Sequence, residues 1–205
     1  MTRSDLSEPT VFIVDDDAAI RRAMELLLST VPVDCESYES AEAFLAAYSP
    51  ERAGCLLLDI RMPGLSGLEL QRRLNELDSP LPVIFITGHG DVPMAVEAMQ
   101  QGAFDFIEKP FGDDDIIERI QLAFAADRRQ RSRSAERSDI GERIARLTKR
   151  EQEVMDLVVQ GKPNKIVAYE LGVSQRTVEI HRARVMEKME ARSLAELVRM
   201  TLAAT

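Results

Sequence analysis

Over the first 125 residues, short apolar runs alternate with amphipathic segments of helical length. The runs are Val11-Phe12-Ile13-Val14, a stretch near Val33–Tyr38, Gly54 to Leu58, Val83-Ile84-Phe85-Ile86, and Phe104 to Ile107. Between the first two, Ala18 to Thr30 carries Ile20, Met24, Leu27 and Leu28 at the spacing of one helical face. Ser40, a good N-cap with Glu42 early in the first turn, opens a second helix. After the turn signal Met62-Pro63-Gly64, Ser66 opens a third, with Leu68, Leu70, Leu74 and Leu77. A fourth spans Asp91 to Gln101 and a fifth starts at Gly112. Five strand–helix units predict an α/β domain: a doubly wound parallel sheet with right-handed crossovers and helices on both faces.

The pattern then changes. Residues 127–140, DRRQRSRSAERSDI, lack an apolar face and read as a solvated linker, with some helical extension of the segment before it. From Leu147 to Thr205 the periodicity is helical throughout. Thr148 and Glu151 have the spacing of a capping box ahead of Val154, Leu157 and Val158. Gly161-Lys162-Pro163-Asn164 interrupts, Lys165 to Leu171 forms a second helix, and Gly172-Val173 makes a turn. Ser174 caps a third helix reaching Met189, and Ser193 caps a fourth. Two short helices, a tight glycine-containing turn and a longer helix make a helix-turn-helix in a small all-α, four-helix domain. The expected division is 1–125, a charged and partly helical linker over 126–146, and 147–205.

Charge sharpens this division. The chain carries a net charge of -9, yet residues 1–126 hold 23 Asp and Glu against 9 Lys and Arg, whereas residues 141–205 hold 9 against 12. An acidic front suits metal and phosphate chemistry, and a mildly basic back permits a polyanionic partner. The two cysteines, Cys35 and Cys55, sit in strand-like runs and read as free thiols in a reducing compartment. The polar first ten residues give no secretory signal, and no apolar stretch approaches the ~18 residues of a membrane span, so a cytoplasmic location away from membranes is expected.

The candidate chemistry lies where the apolar runs end. Asp15 and Asp16 follow the first, Asp59 closes the run from Gly54, Thr87 closes the fourth, and Lys109 follows the fifth. If the runs are parallel strands of one sheet, these groups meet at its carboxyl edge, where open α/β sheets bind ligands. Moving a phosphoryl group onto a carboxylate brings two anions together and requires a cation between them. Magnesium, which prefers oxygen ligands and keeps several waters, needs only a few carboxylates. Asp59 can serve as ligand and nucleophile, Lys109 as a compact positive charge, and Thr87 as a hydroxyl donor. Each residue alone has an ordinary explanation as a turn former, surface lysine or loop start. Their placement at corresponding strand ends is what favours a site. His89 reads as a loop residue without metal-binding partners.

Val14-Asp15-Asp16-Asp17, Leu58-Asp59-Ile60-Arg61-Met62-Pro63-Gly64, Thr87-Gly88 and Lys109-Pro110-Phe111 closely resemble the receiver domain of two-component response regulators, over about residues 9–125. The resemblance implies a flavodoxin-like sheet of order 2-1-3-4-5, with Asp59 accepting phosphate from the phosphohistidine of a sensor histidine kinase. It also implies Mg2+ (or Mn2+) held by Asp16, Asp15, Asp59 and the backbone carbonyl of Arg61, with Lys109 and Thr87 contacting the phosphoryl group. Phe106 matches the aromatic switch position, the Lys109–Pro110 bond is expected to be cis, and phosphorylation is expected to produce a homodimer, to release the DNA-binding domain, or both. A core aromatic is the plainer reading of Phe106.

In the C-terminal part, Val178, Val185 and Met189 share one helical face and should pack inward, while Arg176, Glu179, Ile180, Ala183 and Glu187 fall largely on the other. Such a helix fits the major groove. Lys165, Arg182, Arg184 and Lys188 are plausible phosphate contacts. Leu147-Thr148-Lys149-Arg150-Glu151, Asn164-Lys165-Ile166-Val167-Ala168, Leu171-Gly172-Val173-Ser174 and Arg176-Thr177-Val178-Glu179-Ile180-His181 resemble the LuxR/NarL-type helix-turn-helix across residues 147–200. Ser174, Gln175 and Thr177 at the start of the third helix join the expected contacts, with His181 as readily a packed or phosphate-side residue. The whole chain is thus similar to FixJ-type response regulators, which implies a DNA-binding transcription regulator acting on double-stranded promoter DNA, with RNA polymerase as a further partner. A dehalogenase-type hydrolase with an aspartyl-phosphate intermediate is the enzymatic alternative, but it wants a second Asp where Arg61 stands. A receiver used only for protein interaction is the other alternative, and it predicts no salt-dependent duplex binding.

Overall fold

A computed structural model describes residues 8–88 and 92–204, Val92 by its backbone alone. His89 and Asp91 lie outside the described residues. The chain divides into two compact units, Met1–Arg131 and Ser132–Thr205.

The first unit is built on strands β1 (Thr10–Val14), β2 (Asp34–Tyr38), β3 (Gly54–Asp59), β4 (Val83–Thr87) and β5 (Asp105–Glu108). They form one parallel sheet in the order β2-β1-β3-β4-β5, as expected. Helices α1 (Ala18–Leu28), α2 (Ala41–Ala47), α3 (Gly67–Glu76) and α4 (Val92–Gln100) connect the strands, and α5 (Asp113–Ala145) follows the last. The helices open on polar caps: Ser40, expected as one, accepts from Ala43, the Asp17 carboxylate accepts the Ala19 N–H, and Ser66 and Glu69 form a capping box. Strand side chains alternate between two cores. Phe12, Val14, Leu56, Leu58 and Phe85 pack with Phe44, Leu70 and Leu74, whereas Val11, Ile13, Leu57, Ile84 and Ile86 pack with Met24, Leu28, Ile116 and Ile120. Both cysteines are free thiols, Cys55 buried and Cys35 half-buried.

Two residues of α5 beyond 125, Asp127 and Arg131, are bonded within the first unit. Asp127, 2% exposed, accepts the Gly54 N–H at 3.0 Å and the Arg131 Nε at 2.8 and 2.9 Å. The two remaining guanidinium nitrogens donate to the carbonyls of Pro50 and Arg52 at 2.7 and 2.6 Å. The segment expected to act as a linker is helical to Ala145, because it is rich in good helix formers and contains no proline.

The second unit comprises the end of α5 together with α6 (Lys149–Val159), α7 (Asn164–Leu171), α8 (Gln175–Lys188) and α9 (Leu194–Ala204). Thr148 and Glu151 form the capping box on α6. Gly172 closes α7 with φ 64, a left-handed conformation that glycine adopts without a Cβ penalty, and this makes the tight turn into α8. Val154, Val158, Val167, Ala168 and Val178 form one cluster. Ile140, Leu147, Met155, Val185, Met189 and Leu197 form another, so α5 contributes to this core too.

Replacing Asp127 by Ala strips the Arg131 guanidinium and the Gly54 N–H of a buried acceptor. A loss of about 3 kcal/mol is expected for the first unit, read as a lower urea midpoint at unchanged m-value. Arg131→Ala should cost a similar amount, and the double variant less than the sum of the two.

Candidate phosphoryl site and nucleic-acid interface

The parallel register brings the ends of β1, β3, β4 and β5 to one sheet edge. Val14 pairs with Leu58, Asp59 with Ile86, and Thr87 with Glu108. The Lys109 Nζ lies 3.3 Å from Asp15 Oδ2 and 3.1 Å from Asp59 Oδ1, so one ammonium is shared by two largely buried carboxylates. Other oxygens on these acids are held by local backbone: Asp15 Oδ1 accepts the Asp17 N–H and Asp59 Oδ2 accepts the Arg61 N–H, at 2.8 and 2.7 Å. Burial pushes the Asp59 carboxyl above the usual carboxylate range; the Lys109 ammonium draws it back part of the way, and the charge of Asp15 works against that.

Local chain geometry explains this convergence. Gly67 opens α3 with its backbone so close to β3 that a Cβ would meet the Asp59 carbonyl oxygen at 2.2 Å. Only glycine lets the loop after Asp59 turn back this tightly. On the other side, the Lys109 N–H donates to the Thr87 carbonyl at 2.8 Å, and the Lys109–Pro110 bond is cis. Thr87 is 3% exposed at the end of β4, Asp16 is exposed at the start of the turn into α1, and Phe106 on β5 is 37% exposed rather than a buried core aromatic. Asp15, Asp59, Lys109 and the Arg61 backbone are therefore in direct contact. Among the described residues, no group of three or more His, Cys, Asp and Glu side chains is close enough to form a metal cage. The donor set suits a hard cation that keeps most of its water: carboxylate oxygens outnumber the one ammonium facing them.

In the second unit, α8 buries Val178, Val185 and Met189. Ser174, Gln175, Arg176, Glu179, Ile180, Ala183 and Arg184 are exposed along it, as is Lys165 on α7. Ser174 is also the N-cap, accepting the Thr177 N–H at 3.1 Å, and its hydroxyl lies 2.8 Å from that of half-buried Thr177. Arg182 donates to Asn164 Oδ1 at 3.1 Å. Lys188 turns inward, its ammonium 2.6 Å from Glu151 Oε2 and 3.2 Å from the Arg146 carbonyl. His181 is half-buried, its Nδ1 shielded and without a partner among the described residues. The exposed face thus holds together the reading positions taken from the periodicity, while Arg182 and Lys188 are engaged within the unit.

Residues 11–121 match the response regulator receiver domain, and residues 145–201 match the bacterial regulatory proteins of the luxR family. The chain is 48% identical to the transcriptional regulatory protein FixJ of Azorhizobium caulinodans, over 95% of this chain and 92% of that one. It is 49% identical to FixJ of Rhizobium meliloti, over 97% of each. The solved structure of the response regulator StyR covers 96% of this chain and 99% of its own, with a TM-score of 0.85 at 40% identity. Full-length FixJ from B. japonicum covers 97% and 98%, with a TM-score of 0.59 at 43% identity. The chain belongs to the FixJ-type response regulators. It is a transcriptional regulator of a two-component system, with a receiver domain and a LuxR-type DNA-binding domain, and not an enzyme. A histidine kinase and DNA are the partners this architecture implies. Among the described residues, no helix of the regulator is long and apolar enough to cross a membrane.

Two polar constellations of the regulator escaped the sequence reading. The Asp127–Arg131 clamp had only its i, i+4 spacing as a signal, inside a segment read as solvated. Glu151 was read as a cap, yet it is 2% exposed and also serves as the acceptor for Lys188, which was read as a phosphate contact. The Lys188 ammonium, together with the Thr148 N–H, holds the Glu151 carboxyl down at about 2. A carboxyl depressed in the folded state stabilises it above the ordinary range near 4.5, and that contribution is lost as pH falls toward about 2. Glu151→Gln should therefore be less stable than the unmodified regulator at pH 7, with the gap closing between these two values. Urea unfolding of both proteins across that range measures it.

Proposed function

We propose that the regulator is switched by transfer of a phosphoryl group from the phosphohistidine of a sensor histidine kinase to Asp59. The observation that supports this most directly is the single Lys109 ammonium shared by Asp15 and Asp59 at the carboxyl edge of the sheet. Asp59 presents an oxygen to an incoming phosphorus, Lys109 can follow the new phosphoryl oxygens, and the Thr87 hydroxyl can donate to one of them. Asp15, Asp16, Asp59 and the Arg61 carbonyl would hold Mg2+ (or Mn2+), which when bound neutralises charge between the nucleophile and the phosphoryl oxygens. A phosphoryl group adds about -1.5 to -2 charges at this edge. Movement of Thr87 toward it frees space into which the exposed Phe106 ring turns, repacking the face made by α4, β5 and the following helix.

That repacked face forms a homodimer, and phosphorylation thereby governs how two copies of α8 occupy half-sites of double-stranded promoter DNA about one helical turn apart. Arg176, Glu179, Ile180 and Ala183 read base edges, with Gln175, Ser174 and Thr177 at the helix start, and Lys165 and Arg184 contact phosphates; Arg182 and Lys188 contribute chiefly through their partners within the domain. In this reading residues 1–125 are the phosphoacceptor module, 126–146 the connection and 147–205 the DNA-binding module. The regulator works in the cytoplasm and contacts RNA polymerase at the promoter.

The test is to incubate the full chain with acetyl phosphate and magnesium and to follow intact mass, oligomeric mass and duplex binding at fixed salt. One alkali-labile phosphoryl group, a doubled oligomeric mass and tighter duplex binding are expected, and all three should vanish with chelator or in Asp59→Asn. Labelling that persists in Asp59→Asn overturns the assignment of the acceptor. Labelling without a change in mass or duplex affinity overturns the switch.

A further inference from the structure

We infer that the last turns of α5, which precede the match to the luxR family at residue 145, set the pose of the DNA-reading helix through Arg143. The inference rests on the reading that α8 contacts base edges. Arg143 donates to the Met189 carbonyl, the C-cap of α8, at 3.0 Å. Its guanidinium also pairs with Glu190 Oε2 at 3.3 Å and with Asp139 Oδ2 on its own helix at 2.8 Å. The side chain is 19% exposed, so these bonds are made at the edge of the core rather than in open water.

The linkage is reciprocal. While Arg143 reaches a carbonyl at the end of α8, Lys188 near that end reaches the Arg146 carbonyl just past α5 at 3.2 Å and Glu151 at 2.6 Å. Ile140, 2% exposed, packs from α5 into the cluster that holds Val185 and Met189. Two cationic groups and one apolar contact therefore fix the far end of α8, opposite the end that carries Ser174 and Arg176. A groove-reading helix must hold several side chains in register with successive base pairs at once, so a small tilt disturbs all of them together. Phosphate contacts, made by long flexible side chains, tolerate such a tilt. Arg143 is on this account a positioning residue: its loss should lower sequence-selective binding while leaving non-specific binding and its salt dependence alone.

The experiment uses the full chain, a duplex selected by it from a random library, and a scrambled duplex of equal length. Arg143→Met should lower the specific-to-non-specific affinity ratio about tenfold, the order of one base contact, at an unchanged salt slope. Arg143→Lys, whose single ammonium cannot span three acceptors, should lie in between, and it carries the test should Arg143→Met fail to fold. A ratio that stays within about twofold of the unmodified protein in the folded variants, inside the ordinary spread of surface substitutions, overturns the proposal. So does a salt slope reduced by about one, which would mark Arg143 as a direct phosphate contact. Arg176→Ala and Ile180→Ala report on the underlying reading. If neither changes the ratio, α8 does not read bases and the proposal falls with it; if they do and Arg143→Met does not, the clamp alone is refuted.

Discussion

Two carboxylates competing for one ammonium constrain everything else at the sheet edge. Asp15 and Asp59 are largely buried, and removing such groups from water is costly unless a positive charge compensates. Lys109 supplies that charge from the far side of β4, so the arrangement exists only if β1, β3 and β5 end at one level and the backbone after β5 turns toward them. The compensation is incomplete, as the upward displacement of the Asp59 carboxyl records. A receiver assembled this way has an electrostatic appetite for further positive charge, and it holds carboxylate oxygens in the region where that charge is wanted.

The DNA-binding unit solves a different problem. Its helix α8 is amphipathic in an unusual sense, with a narrow apolar face inward and a mixed charged and apolar face outward. Val178, Val185 and Met189 supply the first, while Arg176, Glu179, exposed Ile180 and Ala183 supply the second. So narrow an apolar stripe fixes a helix loosely about its own axis. Polar bonds at both ends provide what the stripe cannot: the Ser174 cap at one, and the Arg143 and Lys188 bonds at the other. At that second end Glu190 has φ 54, a left-handed conformation costing roughly 1–2 kcal/mol for a residue with a Cβ. The Glu190 and Ala191 N–H groups return to the Glu187 and Met186 carbonyls there, closing the helix as a Schellman motif.

Much of the molecule was legible in the residue order because local signals and tertiary demands agree. Continuous apolar runs marked β1, β3 and β4, Ser and Thr caps marked helix starts, and the strand-end acids and lysine could be matched to one edge. What stayed hidden depends on partners distant in sequence. Asp127 and Gly54 are 73 positions apart, and Lys188 and Glu151 are 37 apart, so neither spacing carries a periodic signature. The run DRRQRSRSAERSDI is exposed over most of its length, as its letters suggest, and nothing local distinguishes the buried Asp127 from its solvated neighbours. Lys188 is of the same kind: its letter places it among the cations of its helix, and only the fold shows that it pairs with Glu151 within the domain.

The clamp on Gly54 bears on the strand that ends in Asp59. Asp127 holds the first residue of β3, and Lys109 grips its last, Asp59. A strand anchored at both extremities cannot creep along its own axis when one terminus gains a bulky anion. On the proposed phosphorylation of Asp59, displacement would be turned sideways, into the loops and the neighbouring β4 and β5, with the backbone of β3 as the fixed rail.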